Sequence, residues 1–533
     1  MKNLYLAILS GVLLAVSWPT YGVSLCIFIA FVPLLWAEKK VRERGVKTKR
    51  TIFIVSYSTF VIWNAITTWW IWYSTQVGAL FAILVNSLLM TIVFMFYHII
   101  AKRVSVIQSL IFLLAIWISF EKFHLWWDIS WPWLNLGNVF SEDILWIQWY
   151  EYTGTFGGTL WVLLVNSIVY ISLLQFEKTK NRKFVTLGFA KATLVIAIPI
   201  SISFFMYKNY TNQGKPTQVI VLQPNIDPYA EKYELSNNQV ADLLIDLTQQ
   251  KIDSEVDFVI TPETVFAQNI PYNYLPYLQE IQQIRHLIEK YPQVNFVGGV
   301  AMYQIITDKR KTTAQSNKFP NKNAWFNDYN SAFLLNKNDS IPLYHKSKLV
   351  VGVENLPYQN FIKPILGNVM IDLGGTVALK TTQPEPSVFT SNNNQSMAPI
   401  ICYETVYGQY VTNYVQKGAQ FLGILTNDAW WRNTQGHKQL LSYTRLRAIE
   451  TRKSVARSAN TGISCFIDQK GDFIGKTLPY GTQGSLKATI LLNDKITFYV
   501  KYGDYIARMA IFIAVGIFLI AFARKKEYFS FKN

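Results

Sequence analysis

Long uncharged apolar runs fill the first 206 residues of the chain and return close to its C-terminus. A helix needs about 20 apolar residues to cross a bilayer core of about 30 Å. The pattern therefore predicts a polytopic α-helical membrane domain with about eight transmembrane helices. The predicted spans are Leu4–Trp18, Tyr21–Trp36, Thr51–Tyr73, Gly78–Ile100, Val106–Phe120, Thr155–Phe176, Gly188–Met206 and Tyr505–Ala523.

Between the seventh and eighth spans the pattern changes to apolar runs of strand length that alternate with helical periods. QVIVLQPNI at 218–226, VDFVITPET at 256–264 and APIICYE at 398–404 are typical of strands. Alternation of this kind over almost 300 residues predicts a layered α/β domain. We therefore divide the chain into a membrane bundle at 1–206, a globular domain at 207–504, and a last helix with a tail at 505–533.

The formal net charge of +17 comes largely from basic clusters that flank the apolar runs. These clusters follow the second, fourth, sixth and eighth spans, at 39–50, 102–103, 178–183 and 524–526. Because cytoplasmic connections are enriched in Lys and Arg, we expect both termini to be cytoplasmic and residues 207–504 to be exported. This distribution gives no reason to expect a nucleic-acid partner.

One alternative concerns the N-terminus. Met1–Ser17 combines a basic start with an apolar core, and Ala15-Val16-Ser17 resembles a signal-peptidase site. Pro19 would hinder cleavage, and the next apolar run follows almost at once. We therefore favour a retained first span.

Cys402 is the first candidate for chemistry in the exported domain. It ends the apolar stretch APII, and the next residues have helical spacing, so we expect a strand-to-helix turn that exposes the sulfur. A helix N-terminus favours the thiolate form. A disulfide with Cys465 is the alternative, because an exported domain is in an oxidising compartment. Cys465 lies within ISCFID, however, which is typical of a strand interior.

Glu263 and Lys346 lie at two other predicted strand ends. Glu263 follows VDFVI, and an acid buried there should have a raised pKa and could act as a general base. Lys346, in LYHKSKL, could stabilise a thiolate and later an oxyanion. Taken separately, each has an ordinary alternative, a helix-capping Glu and a solvated surface Lys.

In chain order, Glu263, Lys346 and Cys402 resemble the Glu-Lys-Cys triad of the nitrilase (carbon-nitrogen hydrolase) superfamily. TPET, YHKSKLVVGVE, ICYE, LTNDAWW and ARSANTGIS resemble successive segments of that superfamily, and WPWLNLGN at 131–138 resembles a segment of its membrane-bound acyltransferase branch. The resemblance implies that the exported domain is an αββα sandwich. The chain departs from the family pattern at Thr261, Lys348, residues 351–353 and Tyr233, where other residue types are usual.

The resemblance also implies a reaction. The Cys402 thiolate would attack the sn-1 ester of a phospholipid while Glu263 takes its proton and Lys346 steadies the oxyanion. The acyl group would then pass from the thioester to the α-amino group of an N-terminal diacylglyceryl-cysteine on a lipoprotein. Three further residues would support the site: Glu354, Tyr403 and Glu404. Three others would bind substrate: Tyr233, Trp430 and Trp431.

The partners implied are a phospholipid donor, a diacylglyceryl lipoprotein acceptor and the bilayer, with no cofactor or metal, and we expect a monomer. The location implied is a bacterial inner (cytoplasmic) membrane with a periplasmic catalytic domain. We expect His437 to be exposed and structural, because the triad already contains a base. Two other functions stay open: a membrane-anchored amidase that hydrolyses a small carbon–nitrogen bond, and an inactive lipid-binding or transport protein.

Overall fold

The computed structural model describes residues 2–319, 322–355, 358 and 379–523. The described residues form two compact units. The first lies within Met1–Trp69, Ala79–Lys208 and Asp504–Asn533, and the second within Trp70–Gly78 and Asn209–Gly503. The basic cluster predicted at 524–526 lies outside the described residues. The second unit thus includes a short segment, Trp70–Gly78, that is distant in sequence from the rest of it.

The first unit is helical. Its α-helices are Lys2–Val16, Val32–Arg44, Thr48–Thr68, Gln76–Ala101, Val106–Phe123, Tyr150–Thr153, Thr155–Thr179, Lys183–Asn209 and Tyr505–Ala523. The C-terminal helix packs small residues, among them Ala507, Ala510 and Ala514, against Phe112 and Ala115 of the helix Val106–Phe123. Small side chains let helices approach closely, as is common between membrane helices.

Six helices within the described residues are long and apolar enough to cross a membrane, and they correspond to the last six predicted spans. The count of about eight is not confirmed. Lys2–Val16 is a shorter apolar helix. The second predicted span is divided into a 3-10 helix, Ser24–Ile29, and an α-helix that starts with Pro33 in its first turn. Proline lacks a backbone N–H, so it suits the start of a helix and not its interior.

The WPWLNLGN segment is buried in the first unit and held by Glu121. The Glu121 carboxylate accepts hydrogen bonds from Leu136 N at 2.7 Å, Thr159 Oγ1 at 2.7 Å and Trp117 Nε1 at 3.1 Å. Glycine is required at position 137, since a Cβ there would lie 1.9 Å from the carbonyl oxygen of Thr155. One carboxylate therefore joins this segment to two long helices.

The second unit contains two β-sheets. Its strands are β1 (Lys215–Gln223), β2 (Val256–Ile260), β3 (Phe266–Pro271), β4 (Asn295–Ile306), β5 (Asn317–Lys318), β6 (Trp325–Leu335), β7 (Leu343–His345), β8 (Phe389–Thr390), β9 (Ser396–Ile401), β10 (Phe421–Thr426), β11 (Val455–Ala459), β12 (Cys465–Ile467) and β13 (Gly484–Leu492). The larger sheet has the order β13-β1-β2-β4-β6-β5, with β3 on β4 and β7 on β6. The smaller has the order β12-β11-β10-β9-β8. β1, β2 and β4 are parallel, as are β9, β10 and β11.

The two sheets pack face to face. The rings of Phe258 on β2 and Phe421 on β10 are 5.2 Å apart, and Ser458 Oγ on β11 donates to Leu222 O on β1 at 2.6 Å. The helices Asn237–Gln249 and Gln279–Lys290 cover the larger sheet, and Gly408–Gln416 packs against β9, with Gln435–Thr451 beside it. The predicted α/β sandwich is confirmed, and its parallel strands end at a common edge.

The segment Trp70–Gly78 contributes side chains to the second unit. The indole of Trp70 lies 4.8 Å from that of Trp431, and the ring of Tyr73 lies 4.8 Å from the Arg432 guanidinium. Trp70 also packs so closely on Gly436 that a Cβ there would lie 2.6 Å from the indole. Trp70 is fully buried by these contacts.

Candidate active site

Cys402 directly follows β9 and begins the 3-10 helix Cys402–Val406. Its φ of 49° lies in the left-handed region, where a residue with a Cβ is strained. The side chain is only 6% exposed, so the expectation of an exposed sulfur is wrong. The reason is that a tight 3-10 turn follows the strand, and the α-helix begins only at Gly408. Cys402 and Cys465 are both free thiols, and Cys465 lies in β12 as predicted.

Glu263 lies in the loop that follows β2, and this loop rests on β4. Gly299 of β4 permits the contact, because a Cβ there would lie 2.1 Å from Pro262 O. Thr261, one of the departures from the family pattern, is buried, and its hydroxyl accepts a hydrogen bond from Gly299 N at 3.1 Å. Threonine at this position therefore holds the Glu263 loop on the neighbouring strand.

Lys346 follows β7 and binds two carboxylates. Its Nζ lies 2.8 Å from Glu263 Oε1 and 2.9 Å from Glu354 Oε2, and all three side chains are buried. Burial lowers the pKa of Lys346, but the attraction of Glu263 and Glu354 outweighs it and holds the pKa well above its usual value. Lys346 is therefore charged at neutral pH, and a cation of this kind could stabilise an oxyanion.

The expectation that burial raises the pKa of Glu263 is wrong. Burial does act in that direction, but the charge and hydrogen bond of Lys346 and the hydrogen bond from Asn330 together bring the pKa below the ordinary value. Glu263 is thus a carboxylate at neutral pH. A carboxylate can accept a proton, so the group is in the form that a general base needs.

Asn330 is a site residue that the sequence pattern did not single out. Its Nδ2 donates to Glu263 Oε1 at 2.7 Å and to Glu354 Oε1 at 3.0 Å. The other oxygen of Glu263 accepts from Asn427 N at 3.2 Å. The sequence did contain one signal for Asn330. Because alternate strand residues share a face, its polar amide lies on the same face of β6 as the apolar Ala332 and Leu334.

The thiol of Cys402 is neutral in the resting site. Burial raises its pKa above the ordinary value, Glu263 raises it further, and Lys346 only partly counteracts them. A negative charge on Cys402 would in turn raise the pKa of Lys346. A nucleophilic role for this sulfur would require that its proton move to a base, and Glu263 is an ionised carboxylate whose charge acts on Cys402.

Glu404 fixes the Lys346 and Cys402 segments relative to each other. Its carboxylate accepts from Ser347 N at 2.7 Å on one side and from Ile401 N at 2.9 Å on the other. It also accepts from the Tyr344 hydroxyl at 2.5 Å. Tyr403 is buried, with its ring 5.3 Å from that of Tyr407. Glu404 thus joins the two segments through hydrogen bonds, and Tyr403 packs in the core next to Cys402.

The three aromatic residues predicted to bind substrate have different surroundings. The Trp430 ring lies 5.3 Å from that of Tyr229, whose hydroxyl donates to Trp430 O at 3.1 Å. Trp431 packs on Trp70, as described above. Tyr233 is 65% exposed, so it lies at the surface. The contacts of Trp430 and Trp431 are those of packed residues, and each is still partly exposed.

His437 is buried, not exposed as expected. Its Nε2 lies 3.2 Å from Asn433 Oδ1 and its ring lies 4.9 Å from that of Tyr480. Burial lowers its pKa to about 4, so the imidazole is neutral at neutral pH. In the part of the chain that the structure describes, no group of three or more His, Cys, Asp or Glu side chains could hold a metal ion.

Comparison with known proteins identifies the family of the chain. Residues 213–497 match the family model for carbon-nitrogen hydrolase, so the chain belongs to the carbon-nitrogen hydrolase family. Residues 10–168 match the model for the N-terminal domain of apolipoprotein N-acyltransferase. The resemblance noted in the sequence is thereby confirmed.

Relatives match the chain over almost its full length. It is 29% identical over 539 residues to the apolipoprotein N-acyltransferase of Chlorobaculum tepidum, covering 98% of this chain and 97% of that protein. It is 25% identical over 540 residues to the enzyme of the same name from Geobacter metallireducens, covering 98% and 96%. Among solved structures it is similar to Saccharomyces cerevisiae Nit3, of the nitrilase superfamily, at 14% identity and a TM-score of 0.35, over 53% of this chain and 92% of that one.

Proposed function

We propose that this protein is an apolipoprotein N-acyltransferase that uses Glu263, Lys346 and Cys402 as its catalytic triad. The observation that carries the proposal is the buried cluster in which Lys346 binds Glu263 and Glu354, with Cys402 within electrostatic reach of Lys346. The same chain contains six helices of membrane-spanning length, which suits substrates whose acyl chains stay in a bilayer. Relatives with this name match both parts of the chain.

The first half-reaction forms a thioester. Glu263 takes the proton of Cys402, and the sulfur attacks the carbonyl carbon of the sn-1 ester of a phospholipid. Lys346 and a backbone N–H near Cys402 stabilise the oxyanion of the tetrahedral intermediate. The ester C–O bond then breaks, and the departing lysophospholipid oxygen receives the proton held by Glu263.

The second half-reaction transfers the acyl group. The α-amino group of the N-terminal diacylglyceryl-cysteine attacks the thioester carbon, and Glu263 removes a proton from the attacking nitrogen. The C–S bond breaks, an amide forms, and the Cys402 sulfur regains a proton. Glu354, Tyr403 and Glu404 support the site by holding Lys346 and the Cys402 turn in place.

The proposed location follows from the charge pattern. Basic residues in alternate connections favour cytoplasmic termini, which leaves residues 207–504 in the periplasm of a bacterium with the helices in its inner membrane. A site on that side of the membrane would meet both phospholipid and exported lipoproteins. We propose that the protein acts as a monomer, since the triad comes from one chain.

Intact-mass analysis tests the proposal directly. Purified protein mixed with phospholipid should gain one acyl mass, and Cys402→Ala should gain none. Addition of a diacylglyceryl-cysteine peptide should remove the adduct from the enzyme and place it on the peptide amine. An adduct of equal amount in Cys402→Ala would contradict the role of Cys402.

The same assay separates the alternatives. A membrane-anchored amidase would hydrolyse small amides rapidly and leave the lipopeptide amine unmodified. An inactive lipid-binding protein would retain phospholipid without a covalent adduct. Either result would overturn the proposed acyl transfer.

A further inference from the structure

Lys232 is a second buried cation beside the triad, and the mechanism above does not use it. It lies in the turn after β1 and is only 8% exposed. Its Nζ donates to Thr264 Oγ1 at 2.7 Å, and Thr264 directly follows Glu263. The charges of Glu263, Lys346 and Glu354 all act on it, which places its ammonium group within electrostatic reach of the triad.

The partners of Lys232 differ from those of three other lysines of the second unit, the buried Lys346 and Lys453 and the half-buried Lys380. Lys346 binds two carboxylates, and Lys380 binds Asp328 at 2.9 Å. Lys453 donates to the carbonyl oxygens of Asn493 and Lys495. The hydrogen-bond partner seen for Lys232 is a single neutral hydroxyl, and an ammonium group has three donors.

A buried cation that makes no direct contact with a carboxylate is costly, so its presence requires a reason. Burial lowers the pKa of Lys232 to about 8, which still leaves most of the amine charged at pH 7. The charges of Glu263, Glu354 and Lys346 sum to −1 when both acids are ionised. That sum would oppose the approach of an anionic substrate, and Lys232 cancels it.

The wall next to Lys232 suits a lipid headgroup region. Its Nζ lies 5.6 Å from the centroid of the Trp430 ring, and the Tyr229 hydroxyl bonds to Trp430 O. An ammonium group beside aromatic rings provides both a charge and apolar surface. A phospholipid donor has a phosphodiester a few bonds from its sn-1 ester, whereas the diacylglyceryl-cysteine acceptor has no phosphate.

We propose that Lys232 binds the phosphodiester of the acyl donor and thereby makes the first half-reaction selective for phospholipids. The inference rests on the proposed acyl transfer. It assigns Lys232 to donor recognition only, so the transfer from the thioester to the amine should not depend on it.

The test compares two acyl donors in the first half-reaction. Wild type, Lys232→Met and Lys232→Arg are each mixed with a phospholipid or with the p-nitrophenyl ester of the same fatty acid, and thioester formation is followed by intact mass. A hydrogen bond to a charged group corresponds to about 10- to 100-fold in affinity. We expect Lys232→Met to lose about that factor with phospholipid, mainly in KM, and to stay within about twofold of wild type with the phosphate-free ester. Lys232→Arg should retain most of the preference.

Thr264→Val is the matched control for a purely structural role. It removes the hydroxyl that Lys232 contacts but keeps the shape of the side chain and the charge of Lys232. If Lys232 only held the Glu263 loop, Thr264→Val would reproduce the defect of Lys232→Met, and both donors would be affected equally. Either observation would overturn the inference.

The remaining outcomes also separate the inference from the proposed function. Thioester preformed from the p-nitrophenyl ester should pass to the lipopeptide amine at the wild-type rate in Lys232→Met, and a slower transfer would count against a role confined to the donor. Wild type that reacts with the ester but never with phospholipid would overturn the proposed function itself. A third outcome is that wild type reacts with both donors and that Lys232→Met has the same ratio of rates with phospholipid and with ester as wild type. This result would overturn only the role of Lys232.

Discussion

Two buried glutamates, Glu263 in the second unit and Glu121 in the first, show how the same side chain serves two purposes. Each carboxylate accepts three or more hydrogen bonds. The partners of Glu121 are neutral groups from three different chain segments, so its hydrogen bonds join those segments. The partners of Glu263 include the cation Lys346, and a thiol lies within its electrostatic reach. Burial by itself therefore says little about function, and the charge and reactivity of the neighbours decide it.

Among variants that keep the Cys402 thiol, the largest expected effect comes from Lys346→Met. It removes the cation that stabilises the oxyanion in the proposed mechanism, and it leaves Glu263 and Glu354 without their shared counter-charge. Loss of one oxyanion donor costs about a hundred- to a thousandfold in rate, and we expect at least the upper value here. The rate of thioester formation measures it. A loss of less than tenfold would show that Lys346 is not the electrophilic group.

Glu121→Ala should affect the stability of the first unit and not the reaction itself. It leaves the donors of Trp117, Leu136 and Thr159 unsatisfied, and each unsatisfied buried donor costs about 1–3 kcal/mol. We expect the free energy of unfolding of the first unit to fall by about 3 kcal/mol, seen as a lower thermal midpoint in detergent. Glu121→Gln keeps the shape and one acceptor, so it should lose less. If the thermal midpoint of Glu121→Ala is unchanged but thioester formation is largely lost, Glu121 takes part in the reaction. The contrast with Glu263 would then be wrong.

Asn330→Leu should move the pH profile. In the proposed mechanism Glu263 acts as a base only when ionised, so kcat/KM should fall as the pH drops through its pKa, which lies below the ordinary value. Leucine removes a hydrogen bond that favours the carboxylate, which raises the pKa and moves the acid limb to higher pH. Asn327→Leu, on the same strand, is the control and should leave the limb in place. If the acid limb of the pH profile does not move in Asn330→Leu, the limb arises from a group other than Glu263.

The smallest effect is expected from His437→Gln. The imidazole is neutral at neutral pH because its pKa lies at about 4, and its contacts are with Asn433 and Tyr480. We expect kcat to stay within about twofold and the stability to fall by about 1 kcal/mol, which is typical of a conservative buried change. Loss of the basic or the acidic limb from the pH profile of this variant would show that His437 transfers a proton.

The strand ends that carry Glu263 and Cys402 were predictable because each residue follows a short apolar run, and Lys346 follows the short strand Leu343–His345. The alternation of strands and helices was sufficient to predict the layered sandwich. The direction of the Glu263 pKa shift was not predictable, since it depends on Lys346 and Asn330, which lie more than 65 residues away in the chain. The burial of Cys402 depends on a left-handed backbone conformation that apolar periodicity does not reveal.

The membrane spans show the same limit. Length and hydropathy identified the last six spans, but the second apolar run is divided by the 3-10 helix Ser24–Ile29. Hydropathy sums over a window and does not register where a helix begins. Lys232 was missed for a related reason: a lysine in a polar turn resembles any surface lysine until its surroundings are known.

The contact between Trp70 and Trp431 has a practical consequence for anyone who wishes to dissect the protein. A fragment cut at the sequence limits of the globular region, from Asn209 to Gly503, would lack Trp70 and leave the faces of Trp431 and Gly436 bare to water. Exposed aromatic surface of this kind promotes aggregation. The second unit therefore cannot be excised intact with a single start and end position in the chain. A soluble version would also need the Trp70–Gly78 segment.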